Sequence, residues 1–146
     1  MLGFWSTVRF VHVLSAMVWV GGQLTITALL LPVVRRRLAP DLRGAVMRDV
    51  GKRFGTFTVA VFVPVQVATG VAIAWHRGVT WESLSEPGYG RTLSGKLLAF
   101  VLVMLAAAGH GRATRAGELG LARSLAMASL VGSLAVVLLA TALPRT

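Results

Sequence analysis

The sequence contains no cysteine and only five acidic residues among its 146 residues. Without a thiol, the chain cannot form a disulfide, a thiolate metal site or a redox-active dithiol. The shortage of acidic residues leaves a net charge of +10, which in a soluble protein could indicate nucleic-acid binding. Here the basic residues flank long apolar runs instead of forming a soluble face, so no nucleic-acid partner is predicted.

Four apolar runs dominate the chain, at about residues 5–34, 55–75, 93–110 and 122–143. A helix needs about 20 mostly apolar residues to cross the hydrocarbon core of a bilayer, and all four runs are near or above that length. None of them contains Asp or Glu, which argues against a transporter that relays protons through carboxylates at membrane depth. The sequence predicts one all-α domain over 1–146, an integral membrane four-helix bundle with up-down-up-down topology.

The segments between the first and second runs and between the third and fourth runs are strongly basic. Together they hold ten of the fifteen Lys and Arg residues. These are Arg35, Arg36, Arg37, Arg43, Arg48, Lys52, Arg53, Arg112, Arg115 and Arg123. Because short cytoplasmic loops carry an excess of Lys and Arg, we expect the basic loops 35–53 and 111–123 to be cytoplasmic and both chain termini to lie outside.

The second and fourth runs carry residues that shape helix packing. Pro64 lies inside the second run, where a proline is expected to kink the helix. In the fourth run, small residues recur at helical spacing and would let a neighbouring helix approach closely. One set is Ser124, Ala128, Gly132 and Ala135, and a second is Ser129 and Ser133. We assign these small residues to packing and not to chemistry.

Polar side chains within the first two runs fall on single helix faces. The first run has His12, Ser15, Trp19 and Gln23 at spacings of three, four and seven residues. The second run has Thr58, Gln66, Thr69 and His76 within one broad face. Gly21 and Gly22 leave room in the first run for a close helix or a flat ligand. Both glutamines are expected to form hydrogen bonds between helices.

His12 lies about two turns inside the outer end of the first run. An ionisable side chain within a span is a candidate functional site, although a histidine satisfied by neighbouring helices is the alternative. Neutral imidazole is a common ligand for haem iron and for copper. A haem would fit a four-helix interior, with His76 as a second ligand. Its propionates would be neutralised by Arg9, Arg91 and Lys96.

Copper is the alternative cofactor. Copper(I) prefers the soft ligands cysteine and methionine, and cysteine is absent. A copper site would have to be sparse, with His12, His76 and Met17 as its ligands. The inventory of ligands therefore favours haem, and we take Trp19 and Gly22 as further residues that contact it.

Two stretches in the middle of the chain resemble the copper-resistance protein D (CopD) domain of bacterial inner membranes. They are KRFGTFTVAVFVPVQVATGVAIAW, residues 52–75, and YGRTLSGKLLAFVLVMLAAAGHGR, residues 89–112. The matching motifs are Arg53–Phe54, Thr69–Gly70, Tyr89–Gly90–Arg91 and Lys96–Leu97–Leu98. This resemblance implies a role in moving copper across the inner membrane, often together with a periplasmic copper carrier.

The first run also resembles the HemJ-type protoporphyrinogen oxidase family of small helical membrane proteins. The shared elements are His12 followed by Trp19 and by Gly21–Gly22. In that family the equivalent first-span histidine is implicated in haem b binding, and a third-span lysine, matched by Lys96, is also functional. The resemblance therefore implies a pocket for haem or for a porphyrin.

The function that we predict is CopD/HemJ-like binding of haem b in the outer half of the bundle, for electron transfer or haem handling, in the bacterial cytoplasmic (inner) membrane. The alternatives are a copper transport or copper-resistance component and a ligand-free accessory subunit of a larger membrane complex. Any enzymatic activity would be that of a membrane haem-dependent oxidoreductase. The expected partners are the lipid bilayer and either further copies of the chain or a larger complex.

Overall fold

The structure, a computed structural model that describes residues 3–142, is built from helices and has no β-strand in that range. The α-helices are α1 (Phe4–Leu24), α2 (Leu31–Arg37), α3 (Pro40–Phe57), α4 (Val63–His76), α5 (Tyr89–Arg115) and α6 (Leu119–Ala142). Two π-helical segments, Thr25–Leu30 and Thr58–Phe62, join α1 to α2 and α3 to α4 without a break. A short 3-10 turn, Ser83–Ser85, precedes α5.

Continuous helix forms four stretches that are long and apolar enough to cross a membrane. They are Phe4–Arg37, Pro40–His76, Tyr89–Arg115 and Leu119–Thr141. The prediction of an all-helical chain with four segments able to span a membrane is therefore confirmed. The end predicted for the fourth run, at residue 143, lies outside the described residues.

The basic segment 35–53, expected to be a loop, is helical except at Leu38 and Ala39. Helix α3 begins at Pro40, whose fixed φ suits a first turn and whose missing N–H is not needed there. Its half-buried apolar residues recur at intervals of three and four: Val46, Met47, Val50 and Phe54. This spacing gives α3 one apolar face, while all of its charged residues except Arg43 are exposed. The high density of charge hid this helical pattern in the sequence.

Each π-helical segment ends two residues before a proline. Thr25–Leu30 precedes Pro32, and Thr58–Phe62 precedes Pro64. A proline has no N–H to donate to the carbonyl four residues earlier, and its ring crowds that carbonyl. In a π turn a carbonyl accepts from the residue five positions on, and the bonds to Ile26 O and Thr58 O, which close the two segments, have that spacing. The distortion predicted at Pro64 is therefore a π turn on its N-terminal side.

The chain forms two compact helical hairpins, the first comprising the residues up to His76 and the second the residues from Arg77. In the first hairpin α1 packs against α4, and in the second α5 packs against α6. The two helices of each hairpin run in opposite directions, because residues near the start of one contact residues near the end of the other. The arrangement of all four helices within a single domain stays a prediction.

Small residues bring α5 and α6 close together. A Cβ atom on Gly132 would lie 2.5 Å from Val103 Cγ2. Ser129 and Ser133 are both buried, at 4% and 2% exposed. The packing role predicted for the fourth run is therefore confirmed for these three small residues of α6. The other three members of the predicted stripe are exposed: Ser124, Ala128 and Ala135.

A tight turn precedes α5. Gly88 has a φ of 88°, in the left-handed region that glycine adopts without strain. A Cβ atom on Gly90 would overlap the backbone oxygen of Ser83. Ser94 Oγ donates a hydrogen bond to Leu84 O over 2.8 Å. The 3-10 turn is therefore packed directly against the first turn of α5, and only glycine at position 90 allows that contact.

Candidate functional site

His12 lies in the first half of α1 and is half-buried. Its ring is held by two side chains of α4: Nδ1 lies 2.8 Å from Thr69 Oγ1, and Nε2 lies 3.2 Å from Gln66 Nε2. The residue after Thr69 is Gly70, where a Cβ atom would lie 3.4 Å from His12 Cε1. Thr69 therefore gives the imidazole a hydrogen-bond partner, and Gly70, which has no side chain, lets the ring pack against the backbone of α4.

The hydrogen-bond pattern assigns the proton of neutral His12 to Nδ1. Thr69 donates its own hydroxyl proton to Val65 O over 2.6 Å, so its oxygen is left to accept from the imidazole. The amide nitrogen of Gln66 can only donate, so His12 Nε2 is the acceptor of the second bond. The network therefore selects the Nδ1–H tautomer and directs the Nε2 lone pair at the amide nitrogen of Gln66.

Ser15 completes a group of polar side chains between α1 and α4. Its Oγ donates to Gln66 Oε1 over 2.5 Å and also lies 3.0 Å from His12 O. Gln66 therefore bridges Ser15 and His12, and its predicted use between helices is confirmed. We call His12, Ser15, Gln66 and Thr69 the polar network. Among residues 3–142, no buried side-chain nitrogen or oxygen lacks a hydrogen-bond partner, so the network is satisfied by the protein itself.

Trp19 continues the same face further along α1. It is 3% exposed, stacks on Phe62 at a ring-centroid distance of 4.7 Å, and donates its indole N–H to Thr58 Oγ1 over 3.0 Å. One turn on, Gly22 lies against the ring of Phe54. Of the two uses predicted for the space at Gly22, the structure shows the close helix. Contact of Trp19 and Gly22 with a cofactor stays a prediction.

Gly22→Ala should destabilise the first hairpin, because the new Cβ atom would lie 2.6 Å from Phe54 Cε2. Overpacking of this kind costs about 1–3 kcal/mol. Gly21→Ala is the matched control, since nothing lies within 4 Å of its Cβ position and alanine is the better helix former. We expect a lower thermal midpoint for purified Gly22→Ala and an unchanged or higher one for Gly21→Ala. Equal midpoints would show that Phe54 moves aside freely.

His76 lies at the end of α4, exposed and stacked on Trp5 with a centroid distance of 3.8 Å and an interplanar angle of 10°. It follows Thr69 by seven residues, which is about 10 Å along a helix axis. His12 and His76 therefore lie at different levels of the hairpin, and each ring has its own partner. The role of His76 as a second ligand stays a prediction.

The other candidate ligand residues of the first hairpin are exposed. Met17 is 65% exposed, and Arg9 is exposed one turn before His12. Within the part of the chain that the structure describes, no three His, Asp or Glu side chains form a group that could hold a metal ion. That finding concerns centres with three or more such ligands. Haem iron takes only one or two ligands from the protein.

The second hairpin holds the remaining predicted residues. Arg91 Nε donates to Ser85 O over 3.2 Å, and Lys96 is half-buried on α5. Near the other end of α5, His110 Nδ1 donates to Ala122 O over 2.8 Å. This third imidazole therefore ties the last turns of α5 to the start of α6.

Four apolar helices of membrane-crossing length, with a polar network between two of them, define a helical protein of the multi-pass membrane class. No protein-family model, curated protein or solved structure matches this chain. The resemblances to the CopD and HemJ-type families therefore stay predictions.

Proposed function

We propose that this chain is a haem-binding protein of the bacterial cytoplasmic membrane, which uses His12 as an iron ligand for electron transfer or for handling haem or a porphyrin. The observation that carries the proposal is the hydrogen bond between His12 Nδ1 and Thr69 Oγ1. It supports a ligand role because it leaves Nε2, which accepts a hydrogen bond from Gln66 Nε2, as the nitrogen that would bind iron once that bond is released. All of the residues of this proposed site belong to the first hairpin.

A metal-ligating histidine usually donates its other ring N–H to a neighbouring acceptor, which fixes the tautomer and strengthens the ligand. Thr69 supplies that acceptor, and its hydroxyl is itself oriented by the bond to Val65 O. The imidazole is therefore oriented before any ligand arrives. Such preorganisation is what a functional side chain within a helix pair requires.

Gln66 is the group that ligand binding would displace from His12. Its amide nitrogen lies 3.2 Å from Nε2, which is at the long end for a hydrogen bond between neutral groups. Breaking such a bond costs on the order of 1 kcal/mol. The oxygen of the same amide is held by Ser15, so Gln66 keeps a partner after Nε2 is released.

The same helix supplies a cation for a carboxylate-bearing cofactor. Arg9 lies three residues before His12 and is exposed, and Arg pairs well with carboxylates such as the haem propionates. On the opposite side of His12, Trp19 and Phe62 close the interface between the helices by stacking. The haem would therefore lie on the side of His12 that faces Arg9. Bound haem would supply a one-electron iron couple, and His12, Thr69 and Arg9 would hold and orient it.

The test is a reduced-minus-oxidised absorption spectrum of the detergent-purified protein, with iron and copper quantified on the same sample. A Soret band, sharp visible bands on reduction and about one iron per chain would support the haem proposal. A colourless protein that retains copper would favour the copper-transport alternative, with the same imidazole as a ligand. A colourless and metal-free protein, after expression with a haem precursor, would contradict both.

A ligand-free accessory role is the second candidate, and one observation favours it. The polar network is closed by bonds of 2.5–3.2 Å between its own side chains and backbone. Hydrogen bonds between membrane helices stabilise the pair by about 0.6–2 kcal/mol each. In this role the network would fasten α1 to α4 within a larger membrane complex, and no cofactor would be needed.

A further inference from the structure

The contacts of the first hairpin fix which residues of its two helices lie at the same level. At one end Trp5 stacks on His76, and further along Gly22 lies against Phe54. Two contacts between these follow the same register: His12–Thr69 and Trp19–Thr58. Moving forward along α1 therefore corresponds to moving back along the helix that contains α4 and α3, and 17 residues of the first helix, from Trp5 to Gly22, face 22 residues of the second.

This register locates the point at which the second helix leaves the hydrocarbon core. Lys52 and Arg53 immediately precede Phe54, so they lie opposite residues 23–25, and both are exposed. Charged side chains are costly within the hydrocarbon core, so we place its edge at their level. The distance from the level of Trp5 to that edge is about 28 Å, which matches a core about 30 Å thick. The exposed Arg9 lies one turn inside the Trp5 level, from where a long arginine side chain reaches the outer interface.

The last part of the first apolar run then lies outside the core. Residues 25–34 are apolar enough to have been predicted as part of a span, yet they lie beside the charged helix α3. Segment 25–53, which we call the tip, therefore extends about 20 Å beyond the core. Its apolar side chains Leu29 and Val33 are 64% and 57% exposed.

Basic side chains are concentrated at the level where the tip meets the core. A surface concavity of about 380 Å³ opens there, lined by Asp49, Lys52, Arg53 and Thr56. Arg48, one turn from Lys52, is also exposed. We call Arg48, Lys52 and Arg53 the basic rim. On the hydrocarbon side of the concavity, Val59 is 73% exposed.

We propose that the basic rim binds the headgroup of an anionic phospholipid. Phosphate oxygens accept charge-assisted hydrogen bonds from Lys and Arg, and basic clusters next to a span attract anionic headgroups. Asp49 can accept a hydrogen bond from a headgroup hydroxyl, which phosphatidylglycerol has and phosphatidylcholine lacks. Val59 offers the acyl chain an apolar surface. A second copy of the chain is a poor occupant because it carries the same excess of positive charge.

Two triple variants with the same change in charge test this proposal. One is Arg48→Gln/Lys52→Gln/Arg53→Gln, and the other is Arg35→Gln/Arg36→Gln/Arg37→Gln. The second set lies about 18 Å further from the core, beyond the screening length of about 8–10 Å at physiological salt. Native mass spectrometry of each full-length protein, purified from mixed micelles, measures the retention of phosphatidylglycerol relative to phosphatidylcholine.

We expect the preference for phosphatidylglycerol to fall about 100-fold in the rim variant, since three cations are lost at the headgroup level. The tip variant should change by less than about threefold, because its cations are screened from the headgroups. Equal losses would show that net charge attracts the lipid without a defined site. A loss confined to the tip variant would point to an acidic soluble partner. Either result, or no preference in the unmodified protein, would overturn the proposal.

A labelling experiment tests the level assignment independently of lipid binding. The chain has no cysteine, so a single introduced thiol reports only on its own position. Leu29 and Met17 form a matched pair, at 64% and 65% exposed. In phospholipid nanodiscs, Leu29→Cys should react with a membrane-impermeant maleimide and Met17→Cys should not. Protection of both thiols would place the tip inside the bilayer and would remove the basis for the basic rim.

Discussion

Replacing His12 by alanine should remove the haem absorption of the purified protein and reduce its iron to background. His12 is the one imidazole of the polar network, and the hydroxyl and amide groups beside it are poor substitutes as iron ligands. His110→Ala is the matched control, because its ring bonds to Ala122 O in the second hairpin. That variant should keep the spectrum, and an unchanged spectrum in His12→Ala would remove the basis of the haem proposal.

Two substitutions in α4 separate a ligand role from a fastening role. Thr69→Val leaves the Nδ1–H of His12 without its acceptor, so haem affinity should fall by about 10–100-fold. Gln66→Leu removes the amide that competes for Nε2, and the Ser15 hydroxyl, which loses its acceptor on Gln66, can donate to His12 O instead. Haem occupancy should then be unchanged or higher. If haem affinity falls in Thr69→Val and is unchanged or rises in Gln66→Leu, His12 is an iron ligand. If both variants lose thermal stability and haem binding does not change, the polar network only holds α1 against α4.

Gly90→Ala should destabilise the second hairpin by about 3 kcal/mol. The added Cβ atom would overlap the backbone oxygen of Ser83, and a backbone atom cannot rotate away as the end of a side chain can. The 3-10 turn would therefore have to separate from α5, which also puts the bond between Ser94 and Leu84 at risk.

Gly95→Ala, one turn along the same helix, is the control for this prediction. Nothing lies within 4 Å of its Cβ position, and alanine is favoured over glycine inside a helix by up to about 1 kcal/mol. Unfolding of both purified proteins in a detergent–denaturant series, followed by circular dichroism, gives the comparison. Equal stability of the two variants would show that the 3-10 turn is not held against α5.

The membrane-crossing helices were predictable because their signal is a property of composition. A run of about 20 apolar residues has few alternatives to a spanning helix, and all four runs are helical over the residues that the structure describes. The helix α3 was missed because its apolar residues are outnumbered by charged ones within the segment 35–53. The helical spacing of its apolar residues, at intervals of three and four, is visible only when those residues are considered without the charged ones.

The members of the polar network were predictable, but their pairing was not. Spacing placed His12 and Ser15 on one face of the first helix and Gln66 and Thr69 on one face of the second. Which of them meet depends on the register between the helices, and a single sequence carries no direct signal for that register. The empty space at Gly70 beside the His12 ring is a property of the packed pair and not of either helix.

The two π-helical segments of the first hairpin do not lie side by side. By the register of its contacts, Thr25–Leu30 lies opposite α3 and Thr58–Phe62 lies opposite α1, so the two are staggered by about 15 Å along the axis. Helices bend most readily at such turns. Each π-helical segment, where a helix bends most readily, therefore lies opposite a stretch of regular α-helix in the neighbouring helix. The first hairpin should therefore resist bending at either π-helical segment, and a displacement at one of its ends should move it as a rigid body.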